Sequence, residues 1–131
     1  MKKFILLVSI TLSVLIGSCK KDNITVPLTL EGKWAISSFI DNGTDKTSEL
    51  SSYYFTFDKN GKLSVNSGGM MNNMCNWTKQ DSIYHFNMMG MYNGNLSMMD
   101  DDWIMTNLTD SICNFIDHNP NRICLFEMHR K

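Results

Sequence analysis

Only two prolines, Pro27 and Pro120, interrupt the 131 residues, and no long polar low-complexity run occurs, which argues against a disordered chain. Apolar residues spaced by three and four are nowhere sustained, so amphipathic helices are not expected to build the fold. The apolar run Phe4 to Ile16 has 13 residues. As a helix it reaches roughly 20 Å against the ~30 Å of a bilayer core, too short for a permanent span. His-x-x-x-His and Cys-x-x-Cys spacings are missing, and His85, His118 and His129 are scattered, which argues against structural zinc. There is no Gly-x-Ser-x-Gly segment and no phosphate-cradling glycine loop, so the familiar signatures of hydrolase and nucleotide chemistry are absent. A formal net charge of −1 offers no field for gathering nucleic acid.

What is present begins at the N-terminus. Lys2 and Lys3 precede the apolar run, which closes on Ile16-Gly17-Ser18-Cys19. That order of a basic region, a short apolar region and small residues before a cysteine reads as a lipoprotein signal, with no Ala-x-Ala type site to favour an ordinary secretory one. The expected organisation is a signal peptide over 1–18, a lipidated Cys19 with its tether over 19–29, and one domain over 30–131. The expected location is the outer membrane, on its periplasmic face or at the cell surface, with the membrane as a partner through the lipid on Cys19. Lys20-Lys21-Asp22 loosely resembles a signal that sends some lipoproteins to the surface. A tether of about ten residues reaches at most ~35 Å, which keeps the domain close to the membrane. Removing the leader leaves 113 residues, with ten basic against 13 acidic side chains and a net of about −3, enough for one small domain.

Three cysteines remain after Cys19. Cys113 and Cys124 lie on two apolar segments joined by Asp117-His118-Asn119-Pro120-Asn121. A hairpin there would bring them nearly opposite and makes them the preferred disulfide pair. The alternative is that Cys75, Cys113 and Cys124 are all small buried hydrophobes.

From Leu30 onward the chain is all-β, a series of short β-branched and aromatic runs punctuated by turn residues. In the first run, Trp34, Ile36 and Ile40 share a face at period two. Thr44 to Ser52 suits either an edge segment or a single helical turn. Tyr53 to Phe57 and Lys62 to Asn66 flank Asp58-Lys59-Asn60-Gly61, a strong hairpin signal. Ser67-Gly68-Gly69 opens a loop through Met70, Met71 and Met74 into strands at Cys75–Lys79 and Ile83–Asn87. The long connection Met88 to Asp102 then leads to a three-strand meander. Roughly eight sequential strands suit a small up-and-down β-barrel, which leaves no sheet edge exposed.

Gly32-Lys33-Trp34, Phe55-Thr56-Phe57-Asp58 with Asn60-Gly61, Trp77, and Asp102-Trp103 before Thr106-Asn107-Leu108-Thr109 together resemble the lipocalin-like domains of bacterial lipoproteins. The resemblance spans roughly 30–130. It implies a small barrel with ligand carriage as the analogy, and a late arginine packed over Trp34, for which Arg122 and Arg130 are the available positions.

The aromatic residues Trp34, Phe55, Phe57, Trp77, Tyr84, Phe86 and Trp103 read mainly as core, several of them as possible cavity lining, and Trp34, Phe55, Phe57, Trp77, Phe86 and Trp103 are the candidates for lining a ligand cavity, with Trp34 and Trp103 expected to be buried. Methionine is the compositional outlier, with 11 in the chain. Met70, Met71, Met74, Met88, Met89, Met91, Met98 and Met99 fall within 30 residues, beside Cys75 and His85. Met70, Met71, Met74, Cys75 and His85 form a weak soft-metal set of the kind that selects cuprous ion; adaptable apolar lining is the favoured reading. Asp100-Asp101-Asp102 lacks the alternating spacing of a calcium loop and reads as a solvated acidic stretch. The overall expectation is a non-enzymatic binding module without cofactor, holding a small apolar ligand. A filled barrel that meets another envelope protein through Met-rich loops is the alternative.

Overall fold

The computed structural model describes residues 28–88 and 94–131, and within these the side chains of 72–74 are left aside. The expected leader, Cys19, the expected tether up to Pro27, Met89, Met91 and the Met74 side chain therefore lie outside the described residues. Nine strands follow in chain order: β1 (Gly32–Asp41), β2 (Thr44–Asp45), β3 (Tyr53–Phe57), β4 (Lys62–Ser67), β5 (Met70–Gln80), β6 (Ile83–Asn87), β7 (Asp101–Leu108), β8 (Ile112–Asp117) and β9 (Cys124–Arg130). A one-turn helix α1 (Thr47–Leu50) follows β2, and a 3₁₀ turn (Leu96–Met99) precedes β7.

Every neighbouring pair is antiparallel, and β1 also pairs with β9. The sheet is thereby closed into an eight-stranded barrel, with β2 as a two-residue arm on the end of β1. One end of the barrel, here the tether end, carries residues 28–31, the β3–β4, β5–β6 and β7–β8 turns and the C-terminus. The other end carries β2, α1, the 3₁₀ turn and the β8–β9 turn.

Three sequence readings are refined by local chemistry. Thr44–Ser52 holds both the edge segment and the helical turn, with Thr47 Oγ1 accepting from the Phe39 N–H. β5 begins at Met70, where a loop is expected, because Gly68 and Gly69 take positive φ (57° and 89°) and close a two-residue turn between paired Ser67 and Met70. In β1 the register slips between Ile36 and Ser38. This bulge reverses the alternation, so Phe39 is buried and Ile40 faces outward, against the expectation of one face for Trp34, Ile36 and Ile40.

The inward residues form one aromatic core. Rings from opposite walls meet in the middle: Phe57 on β3 lies 5.2 Å from Phe86 on β6, and Phe86 lies 6.4 Å from Phe126 on β9. Trp103 meets Phe126 edge to face at 4.7 Å. Met88 and Met99 are buried in the same core, and Met98 packs against it, so these methionines fill space as gap-fitting side chains do.

Candidate functional site

Residues 28–31 cross the tether end as a strap. Trp34 donates its indole N–H to the Leu30 carbonyl at 2.7 Å, and Arg130 donates to the Glu31 and Thr29 carbonyls at 2.8 and 3.2 Å. The Arg130 guanidinium also lies over the Trp34 ring, 4.4 Å from its centroid, a cation–π contact. Arg130 is thus the late arginine that the resemblance implies. Arg122 does other work. Gly32 sits under this latch at φ +129°, where a Cβ would come within 2.4 Å of Arg130 Nη1. Only glycine leaves room for the guanidinium.

A pocket of about 170 Å³ lies between the strap and the β5–β6 hairpin. Leu28, Leu30 and Glu31 line it from the strap; Trp77, Lys79 and Tyr84 line it from the hairpin. Trp77 and Tyr84 are stacked, 6.3 Å apart at 12°. Their ring positions are set by the Trp77 indole, which donates to the Asp58 carbonyl at 3.1 Å, and by the edge-on contact of Tyr84 with Phe115. The cavity rivals a benzene-sized hole of ~150 Å³ and is open on one side. Leu28 and Leu30, a flat aromatic wall, and a comparable polar share from Thr29 and the two charged residues suit non-covalent holding of a small molecule.

Of the candidate lining residues, Trp77 is at this pocket. Trp34, Phe55, Phe57, Phe86 and Trp103 are fully buried and packed into the core instead, because strand alternation points them at the barrel axis in the layers where rings meet. Tyr84, another of the aromatics read as core or lining, is at the pocket too, and Lys79 lines it without having been singled out. The signal for Lys79 is faint: it is two residues from Trp77 on one strand and so shares its inward face.

The preferred disulfide is corrected by the register. Cys113 lies opposite Met128, four positions along β9 from Cys124. Four residues span roughly 13 Å, about twice what a bridge tolerates. Cys75, Cys113 and Cys124 are free and buried. Burial pushes the thiols of Cys113 and Cys124 up to about 12 and about 11, and that of Cys75 upward too. In the unfolded chain a thiol ionises near 8.5, so the stability these groups lend is complete below that pH and is lost as pH rises from there through about 11 for Cys124 and about 12 for Cys113. The urea midpoint is expected to fall between pH 8 and pH 10.5. In native protein the three thiols are expected to resist an alkylating reagent that reacts at once after unfolding. Rapid labelling of Cys113 in the folded state would refute this.

The described members of the soft-metal set are not brought together. Met70 and Met71 stand exposed at the β4–β5 turn, Cys75 is inward and buried, and His85 faces outward. Among the described residues, no group of three or more His, Cys, Asp or Glu is placed to hold a metal. His85 Nδ1 instead binds Asp102 Oδ1. With Thr78 opposite His85, a Thr-His-Asp row crosses three strands. It lies on the outer wall with side chains 36% and 47% exposed for His85 and Asp102, where water already solvates any charge. Asp101 belongs to an ion cluster with Arg122 at the far end.

No protein-family model matches the chain, and no curated protein matches it in sequence. One solved structure decides the architecture: a lipocalin-like protein from Bacteroides uniformis ATCC 8492 superposes with a TM-score of 0.57 over 78% of this chain and 98% of that one, at 14% identity. The fold is lipocalin-like. At that identity the likeness speaks for the barrel alone, and the lipocalin-like barrel here differs from an open cup in having rings across its middle.

Proposed function

We propose that this chain is a lipid-anchored, non-enzymatic envelope protein whose lipocalin-like barrel binds a small, largely apolar molecule at its tether end. The observation that carries the reading is the pocket between the strap and the Trp77–Tyr84 wall. The anchor rests on Ile16-Gly17-Ser18-Cys19, and a short tether to Leu28 would hold this end of the barrel toward the outer membrane. Neutral planar fragments titrated into the full chain are expected to shift the Trp77 indole N–H resonance in NMR, and Trp77→Ala to abolish their binding. Fragments that bind only elsewhere would defeat the site. Mass spectrometry of the purified protein is expected to give a chain beginning at an acylated Cys19; an unmodified Cys19 would defeat the anchor.

A second reading has its own observation. Ile40, Leu125, Ile116, Ile104 and Ile83 are direct cross-strand neighbours on β1, β9, β8, β7 and β6, forming an apolar band on the outer wall. Leu125 and Ile116 are 42% and 41% exposed. Such a stripe favours contact with another envelope protein. Of the Met-rich loops that the sequence offers for such contact, Met70 and Met71 stand exposed among the described residues.

A further inference from the structure

We infer that the tether-end pocket selects an organic anion, a small molecule with an apolar or planar body and one negative group held by Lys79. This deepens the binding reading above and rests on it. The first observation is parity. Along β5, Cys75, Trp77 and Lys79 occupy inward positions, and Lys79 is paired across to the inward Tyr84. The other charged side chains at inward positions all have polar partners: Asp41, Asp101 and Asp117 meet the Arg122 guanidinium, and Arg130 donates to the strap carbonyls and covers the Trp34 ring. Lys79 has no carboxylate partner among the described residues. Its ammonium stands 5.4 Å from the Tyr84 ring centroid, at the pocket rim.

Lys79 is exposed at the mouth, so water solvates its charge in the free protein. An ionised ligand group would give it a charge-assisted hydrogen bond. Glu31 is the acidic residue among the lining side chains; Arg130 is bound to its backbone carbonyl on the same strap, so this end of the pocket carries a second cation as well as that carboxylate. Lys79 is the charge beside the aromatic wall.

The second observation is the distribution of charge along the barrel. Lys33, Lys59, Lys62, Lys79, Arg130 and Lys131, six of the eight basic residues in the described chain, lie at the tether end with four carboxylates. The far end carries Lys46 and Arg122 with seven carboxylates. The field therefore draws anions toward the pocket and away from the opposite end. Volume limits the body: about 170 Å³ suits roughly six to ten heavy atoms, by comparison with the ~150 Å³ hole that holds benzene. Trp77 and Tyr84 supply a flat surface for it, and Leu28 and Leu30 border it from the strap.

The test uses two probes of one shape, phenylacetate and phenylacetamide, titrated into the full chain in a non-ionic maltoside detergent and followed by the Trp77 indole N–H resonance. Phenylacetate is expected to bind about tenfold more tightly at low salt, a preference of about one charge-assisted contact. Lys79→Met should reduce the preference to within about twofold, and Lys79→Arg should keep it. Equal affinity of the two probes for the unaltered chain, or an undiminished preference in Lys79→Met, overturns the anion inference and leaves the pocket standing. If neither probe moves the indole resonance, while the spectrum reports a folded chain, both the inference and the binding site fall.

Discussion

Arg122→Leu is expected to destabilise the barrel by about 2–4 kcal/mol. The guanidinium donates to Asp41 Oδ1 at 3.2 Å and to Asp101 Oδ2 at 2.8 Å, and lies 3.3 Å from Asp117 Oδ2. It joins the ends of β1, β7 and β8 through one side chain carried on the β8–β9 turn. The three carboxylates are not equivalent. Asp41 and Asp101 are partly exposed and can be rehydrated, whereas the Asp117 side chain is 1% exposed. Removing the cation leaves Asp117 charged in the interior with the Asn119 N–H as its remaining hydrogen-bond donor. The cost is put below that of a fully buried pair because Arg122 is itself a quarter exposed. Asp117→Asn added to Arg122→Leu should recover about 1 kcal/mol or more, since the buried charge is then gone. Urea denaturation of both variants measures this directly. A loss below about 0.5 kcal/mol for Arg122→Leu would mean the cluster is no better than a surface ion pair.

Trp34→Ala should cost more, about 3–5 kcal/mol. Trp34 is fully buried, and it holds both the core beneath and the strap above. Truncation opens a cavity, leaves the Leu30 carbonyl without its donor and takes away the surface on which Arg130 rests. Trp34→Phe separates these effects. It keeps most of the volume and the ring under Arg130 but loses the N–H, for an expected cost of about 1–2 kcal/mol. Hydrogen exchange at residues 29–31 should rise in both variants while that of β7 and β8 stays slow in Trp34→Phe. If Trp34→Phe leaves exchange in the strap unchanged, the indole hydrogen bond is not what holds it.

Much of the barrel was legible because local signals agreed. Asn60-Gly61 with flanking alternation specified the β3–β4 hairpin, and Asp58 supports it with its carboxylate, which accepts from the Asn60 and Lys62 N–H groups. The burial of Trp34 and Trp103 followed from large aromatics at strand starts, and each indole found a carbonyl four residues away. What escaped depends on non-local register. The slip after Ile36 exchanges Phe39 for Ile40 with no residue that announces it. The offset of Cys113 from Cys124 follows from how far β9 slides along β8, which a turn sequence alone does not state. The pocket escaped for a different reason: it is assembled by residues 28–31 and a hairpin some fifty positions later, brought together only when the barrel closes.

Closure itself carries a kinetic consequence. β1 finds its second neighbour in β9, where Trp34 is opposite Arg130 and Asp41 is opposite Cys124, contacts about ninety residues apart in the chain. The loop entropy for this seam must be met before any of its hydrogen bonds form. Until the last seven residues dock, β1 and β8 both present open hydrogen-bonding edges next to exposed rings, the geometry on which strands of separate molecules associate. The step that completes the barrel is therefore the one that protects it, and a chain halted before Cys124 is an aggregation-prone intermediate by construction.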